Sequence, residues 1–296
     1  MIPLLYAAVV IGQTAQATFM KLNSKTKTGD ALRFTFVKAL SAMLLFLLLF
    51  LVTREGFHLP TMLYGMLFGV CIACSSFFGY RALGVGPLSL TYMLMNCCIL
   101  ISCLYGVIFL DESISLLGGI GFFLMAVAML LLNFDFSPKK ESAERGEGAK
   151  KPRASLKWAV LIALTLLGDG FCQVSQTAHQ NAFPKEHRIA FMFWAMLTWC
   201  VICFFIALLT GKIKPGRAYL RSDLYAVGSG LTNSLANYFI LMLAAMSAAT
   251  LLFPTISVAC MLGALVVGFT LFREKLNVQQ LVGFVCGVGA VFLLQL

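Results

Sequence analysis

Charge is what this sequence has least of. Of its 296 residues only 11% are Asp, Glu, Lys or Arg, while 60% are hydrophobic. A soluble domain carries about 25% charged and about 45–50% apolar residues. A chain this poor in charge cannot solvate a folded surface, which leaves the bilayer as the solvent for most of it. Acids are scarcer than bases, 12 against 22, giving a formal net charge of +10. That excess is not a nucleic-acid footprint, because the basic residues fall in the breaks between apolar runs, where charge sets membrane topology. No nucleic-acid partner is expected.

Further absences narrow the chemistry. There is no glycine-rich nucleotide loop of the Walker type, so an ATP-driven pump would need a partner chain, and no ATPase subunit is expected. No Gly-x-Ser-x-Gly elbow and no His-Glu-x-x-His zinc motif occur, and no second acid lies at the depth of Asp169 to form a proteolytic dyad. An enzyme is not expected, nor is any metal or cofactor. The ten cysteines all lie inside apolar runs, where cysteine packs as a small hydrophobe. Cys71-x-x-Cys74 and Cys200-x-x-Cys203 have redox or zinc spacing, but on lipid-buried helices they lack the loop and thiolate environment for it. The three histidines are read as loop residues (His58, His187) and as an interfacial residue near a helix end (His179). Met1-Ile2-Pro3 has no basic leader in front of the first apolar run, so no cleavable signal is expected.

What the chain does have is spanning-length apolar segments, at 3–22, 31–53, 61–81, 87–109, 115–134, 157–180, 188–210, 223–244, 249–272 and 277–295. Backbone groups in hydrocarbon must be satisfied within their own segment, which selects helices. The fold expected is an all-α polytopic membrane protein of ten transmembrane helices. A mixed-charge stretch rich in Gly and Pro, 135–156, reads as a flexible linker. It separates a first five-helix unit, 1–134, from a second, 157–296.

The two units read as repeats. Leu110-Asp-Glu-Ser-Ile-Ser-Leu-Leu-Gly-Gly-Ile-Gly-Phe matches Phe272-Arg-Glu-Lys-Leu-Asn-Val-Gln-Gln-Leu-Val-Gly-Phe, and the same offset aligns Gly106 with Gly268 and Ala128 with Ala290. An odd number of spans per unit makes the second inverted relative to the first, an arrangement used by secondary transporters. One copy then holds both halves of a two-fold site, so the monomer is expected to suffice. Gly118, Gly119, Gly121, Gly283 and Gly287, placed on outer helices, are positions where copies could pack.

Polar residues inside hydrocarbon normally face a bundle interior or a wet cavity. On the sixth span Asp169, Gln173, Gln176 and Gln180 form one helical stripe. Asp169 lies roughly 16 Å into its helix, near the middle of a ~30 Å core. A central charge costs at least ~2.5–3.5 kcal/mol, so it must be partnered, hydrated or protonated. It reads either as a substrate-ammonium or proton-coupling site, or as a structural ion pair or helix-cap contact at a break beside Gly168 and Gly170. The first span carries Gln13, Thr14 and Gln16 at matching depth. The eighth carries Ser229, Asn233 and Asn237, and the fourth Tyr92 and Asn96. Pro254 interrupts the ninth span as a hinge or a passive kink. Lys38 is read as snorkelling to the interface, with an anion contact or an Asp169 partnership as the sharper alternative. Glu112 and Glu274 are read as complementing the dipoles of the fifth and tenth helices that they precede.

The segment from Phe272 through the glycine-rich last helix, Arg33-Phe34 opening the second span and Tyr80-Arg-Ala-Leu closing the third together resemble the EamA-type families of the drug/metabolite transporter superfamily. The resemblance covers the chain apart from the linker. It implies a central cavity lined mainly by the first, third and fourth helices of each half, and export or exchange of a small metabolite or drug-like solute through the cytoplasmic membrane of a bacterium. Amino acids, drugs, organic anions, sugar phosphates and vitamins all fall within its range. A non-transporting receptor or structural membrane protein is the alternative of another class. Of the 22 Lys and Arg residues, 18 fall on the side of the linker, three (Arg54, Lys185, Arg188) on the other, and Lys38 lies within a span. The linker is therefore expected in the cytoplasm and both termini outside, where the resembling families usually have theirs inside.

Overall fold

The structure is a computed structural model, and it describes residues 2–24, 31–85, 98–112, 115–133, 156–210, 219–271 and 278–294. Among these it is all helix, with ten helices and no strand. They are α1 Ile2–Ser24, α2 Ala31–Thr53, α3 Leu59–Val85, α4 Ile99–Phe109, α5 Leu116–Asn133, α6 Leu156–Ala182, α7 Arg188–Thr210, α8 Leu220–Ala244, α9 Ala249–Leu271 and α10 Val278–Leu294. Each coincides with one of the apolar segments read from the sequence. The linker and the first part of the fourth segment, residues 86–97, lie outside the described residues.

Within the described residues, Ile2–Met20, Leu32–Thr53, Leu59–Gly79, Trp158–Ala182 and Arg188–Thr210 are long and apolar enough to cross a membrane. Together with the all-helical fold they make this a membrane protein. The distribution of side chains agrees. Leu48, Leu51, Phe57, Phe109, Leu116, Phe123 and Leu209 stand exposed on the outside, while Ser102, Thr165, Ser175, Gln176, Ser229, Asn233 and Ser234 are buried. A water-soluble bundle has this arrangement the other way round. The polarity of α8 has the same origin, because it packs on α1, α2, α6 and α7 and its Ser222, Ser229, Asn233, Ser234 and Asn237 are buried.

Lipid is as apolar as leucine, so close packing rather than a hydrophobic drive joins such helices. The most extensive contacts run between α3 and both α6 and α7, between α1 and α8, between α2 and both α7 and α8, and between α5 and α10. Small residues permit them. A Cβ on Gly65 would come within 2.7 Å of the Phe191 carbonyl, and one on Gly69 within 2.6 Å of Thr198, so this Gly-x-x-x-Gly pair sets how near α3 lies to α7. Trp199, Phe46, Phe68, Phe191 and Met196 fill the space between α2, α3 and α7. Gly287 proves to be an internal contact, against Val258, Leu262 and Ala128, rather than a surface for a second copy.

Carboxylates fasten the ends. Glu112 accepts hydrogen bonds from the N–H groups of Ala249 and Thr250, at 2.7 and 2.8 Å, and so caps α9. The expectation that it serves its own following helix, α5, is corrected by this. Asp111 turns left-handed (φ 52°) and the Glu112 N–H bonds back to the Gly106 carbonyl, which carries the side chain across to α9. Glu55 caps α7 in the same way, accepting from the Ala190 N–H at 2.9 Å. At the opposite end Arg33 forms a two-pronged pair with Asp223, 2.8 and 2.6 Å, between the starts of α2 and α8.

Candidate functional site

A cavity of about 470 Å³ lies among α1, α2, α3, α4, α6, α8 and α9. Its size falls in the range of about 300–1,000 Å³ typical of ligand sites. The cavity is lined by Gln13, Gln16, Lys38, Asp169, Gln173, Gln176, Asn233 and Asn237, and among its apolar residues are Phe68, Ile72, Ile99, Ile240, Phe253 and Ile256. Residues from both halves of the sequence, more than two hundred positions apart at the extremes, thus converge on one space.

Helix geometry explains which side chains reach it. On α6 the spacing of Asp169, Gln173 and Gln176 keeps one face towards the cavity, while Gly168 and Gly170 at the sides let α3 and α4 approach. A Cβ at Gly168 would meet the Cys71 carbonyl at 2.9 Å, and one at Gly170 would meet Ile101. The helix is continuous from Leu156 to Ala182, which removes the reading of Asp169 as a cap at a helix break. The hydroxyl of Ser75 and the ammonium of Lys38 are the polar groups acting on the Asp169 carboxylate.

Lys38 does not snorkel. It is 9% exposed and lines the cavity, with its Nζ 5.5 Å from the centre of the Trp199 ring. The rotation of α2 is fixed by its packing on α7 and α8, where Gly230 sits against the Lys38 backbone, and that turns the ammonium inward. Lys38 and Asp169 share the space without a direct ion pair; a charge-paired contact among the described residues is Arg33–Asp223.

The amides form a directed ladder. Gln176 Nε2 donates to the Asn237 carbonyl at 3.2 Å, and Asn237 Nδ2 donates to Asn233 Oδ1 at 3.2 Å. Asn233 Nδ2, at its end, has no partner. Gln16 and Gln173 spend their N–H groups on sulfur, of Met20 and Cys98 respectively, and the Oε1 of each is unpartnered. All three of these unpartnered atoms are buried, at positions where an unmade hydrogen bond is costly.

Other sequence candidates separate from this group. Ser229 is fully buried beside the α2 crossing and does not line the cavity. Pro254 lies within α9 between the lining residues Phe253 and Ile256 without lining the cavity itself. Thr14 turns instead towards Gly263 of α9. Tyr92 and Asn96 lie outside the described residues. None of the nine described cysteines is in a disulfide, and Cys98, Cys172 and Cys260 line the cavity. No group of three or more His, Cys, Asp or Glu able to hold a metal occurs among the described residues.

Sequence reading missed the histidines. His179 is 0% exposed, not interfacial. Its Nε2 lies 3.0 Å from Thr61 Oγ1, which lies 2.8 Å from His58 Nδ1, and His58 stacks on His187 at 4.4 Å. On the other side of the ring, His179 Nδ1 lies 3.0 Å from Gln180 Nε2, and Gln180 Oε1 accepts from Arg188 Nε at 2.8 Å. A guanidinium only donates, so Arg188 fixes the polarity of the whole chain. Gln180 presents its oxygen to Arg188 and its N–H to His179 Nδ1. His179 therefore donates from Nε2 to Thr61, and Thr61 donates to His58. The findable signal was placement, since alternate span ends bring residues 58, 179 and 187 to one side of the bundle.

No protein-family model and no curated protein matches this sequence. A solved protein crystal structure, 14% identical, aligns with a TM-score of 0.72 over 98% of this chain and 98% of its own. At that identity the likeness is one of fold alone.

Proposed function

We propose that this protein is a secondary transporter that moves a small solute across the membrane through the central cavity. In this reading it has ten spans arranged as two inverted five-helix repeats, of the kind found in the EamA-type families it resembles. The observation that carries the reading is the convergence of α1 and α6, corresponding helices of the two halves, on one cavity with Gln13 and Gln16 from one and Asp169, Gln173 and Gln176 from the other. Helix neighbours support the repeat: α1 on α8 is answered by α6 on α3, α2 on α8 by α7 on α3, and α1 on α9 by α6 on α4, each pair becoming the other when the halves are exchanged.

Alternating access then needs the two ends of the cavity to open in turn. Each end carries a polar clasp joining the halves: Arg33–Asp223 at one, and the Glu112 cap on α9 with the Thr61–His179 bond at the other. Movement of the solute means releasing one clasp while the other holds. Purified protein reconstituted in liposomes, with flux measured for amino acids, organic cations, vitamins and sugar phosphates, tests the reading. Saturable flux of one class is expected, reduced at least tenfold by Asn237→Leu in a protein that still folds. Binding without flux in any gradient or orientation would reassign the protein as a receptor.

A further inference from the structure

Within the transporter reading, the cavity also carries information about what it holds. Two opposite charges line it, Lys38 from α2 and Asp169 from α6, and they are not closed on each other as an ion pair. Leaving them apart in a largely apolar enclosure is costly for each, unless something else is there to complete both. Three lining residues nearby carry buried, unpartnered hydrogen-bonding atoms: Gln16 Oε1, Gln173 Oε1 and Asn233 Nδ2. Beside Asp169, one turn along the same face, the lining residue Gln173 carries a buried, unpartnered side-chain oxygen. On the other wall α2 crosses α8 at Gly230, one turn before Asn233, whose Nδ2 is the unpartnered donor at the end of the amide ladder. Asp169 thus has an amide acceptor one turn along its own helix, and Lys38 belongs to the helix that crosses α8 one turn before the Asn233 donor. Phe68, Ile72, Phe253 and Ile256 of α3 and α9 are among the hydrophobic side chains that line the same cavity.

We infer that the cavity is built for a zwitterion with an apolar body, its ammonium on the Asp169 and Gln173 pole and its carboxylate or other anion on the Lys38 and Asn233 pole. Lys38 and Asp169 are then specificity-determining residues. A solute carrying one charge only would leave the opposite protein charge buried and unpaired, so the site selects against it. A doubly charged solute satisfies both poles at once. This inference rests on the transporter reading for its biological sense, but its test is one of binding and can fail separately.

The probes are matched trios that keep one body and vary the charge: leucine, 3-methylbutylamine and 4-methylpentanoate, with alanine and phenylalanine trios built alike. Affinities for the purified full-length protein are measured at pH 7 by calorimetry, with thermal melting as a check on folding. In at least one trio the zwitterion is expected to bind ten times or more tightly than either singly charged analogue. Lys38→Met should bring the zwitterion down to the level of the amine while leaving the amine unchanged. Asp169→Asn should do the reciprocal, down to the level of the acid. If either single variant fails to fold, Lys38→Met with Asp169→Asn removes both charges, and all members of the trio should then bind within about threefold of each other. A singly charged probe that equals or exceeds its zwitterion in every trio, no binding in any trio, or an equal loss for all three probes in Lys38→Met, overturns the inference. Charge-selective binding without flux in liposomes would defeat the transport reading alone. Flux of some solute that is indifferent to both substitutions would defeat the zwitterion alone.

Discussion

At the scale of single residues, Asp169 was legible as a problem and only partly as a solution. Its depth and its stripe with Gln173 and Gln176 could be counted from the sequence, because helical spacing is fixed. What could not be counted was the rotation of α2, on which the direction of Lys38 depends. A lysine seven residues into an apolar helix reaches the interface or the interior with the same stem length, and packing on Trp199 and Gly230 decides. The consequence is testable in transport. An ionised Asp169 that holds an ammonium loses that hold when it is protonated, so flux should fall as the medium is acidified. Asp169→Asn keeps the shape and the acceptor oxygen but cannot titrate. It should fold, transport at least tenfold more slowly at neutral pH, and show a flat pH profile; pH-resolved flux in liposomes measures this. An unchanged profile in Asp169→Asn would remove the residue from the mechanism.

Helices, as elements, were readable because hydrocarbon leaves the backbone no other choice. Their ends were less so. Glu112 sits next to α5 in sequence yet caps α9, across more than 130 residues, and no local pattern encodes that. The histidine chain is of the same kind: Thr61 of α3 and His179 of α6 are 118 residues apart. It joins three helix ends, since Arg188 belongs to α7. Removing its central hydroxyl should expose how much it matters. Thr61→Val leaves the His179 Nε2–H without an acceptor and His58 Nδ1 without a donor in a buried place, at a cost of about 1–3 kcal/mol per orphaned group. Thr61→Ser keeps the oxygen and should be close to neutral. Thermal melting in detergent separates the two, and a Val variant as stable as Ser would mean that the chain does not fasten these helices.

For the whole molecule, the sequence yields a direction as well as a fold. The termini of α2, α3, α6, α7, α8 and α9 alternate, so residues 54–58, 110–112, 183–187 and 245–248 gather at one end with the histidine chain and the Glu112 cap. The other end carries Arg33–Asp223, and in the sequence 18 of the 22 basic residues fall in segments on the linker's side. The two ends are thus unequal in charge: the sequence puts Arg54, Lys185 and Arg188 with the histidine chain and 18 basic residues on the linker's side. Positively charged segments resist translocation, so the linker end should face the cytoplasm and the histidine end the outside. Single cysteines at Ala149 and Lys185, in a background with the native cysteines replaced, provide the test with a membrane-impermeant thiol reagent. Lys185→Cys should label in intact cells, and Ala149→Cys only after permeabilisation. The reverse pattern would invert the molecule, put the Arg33–Asp223 clasp on the outer side, and make the histidine chain a gate that reads cytoplasmic rather than external conditions.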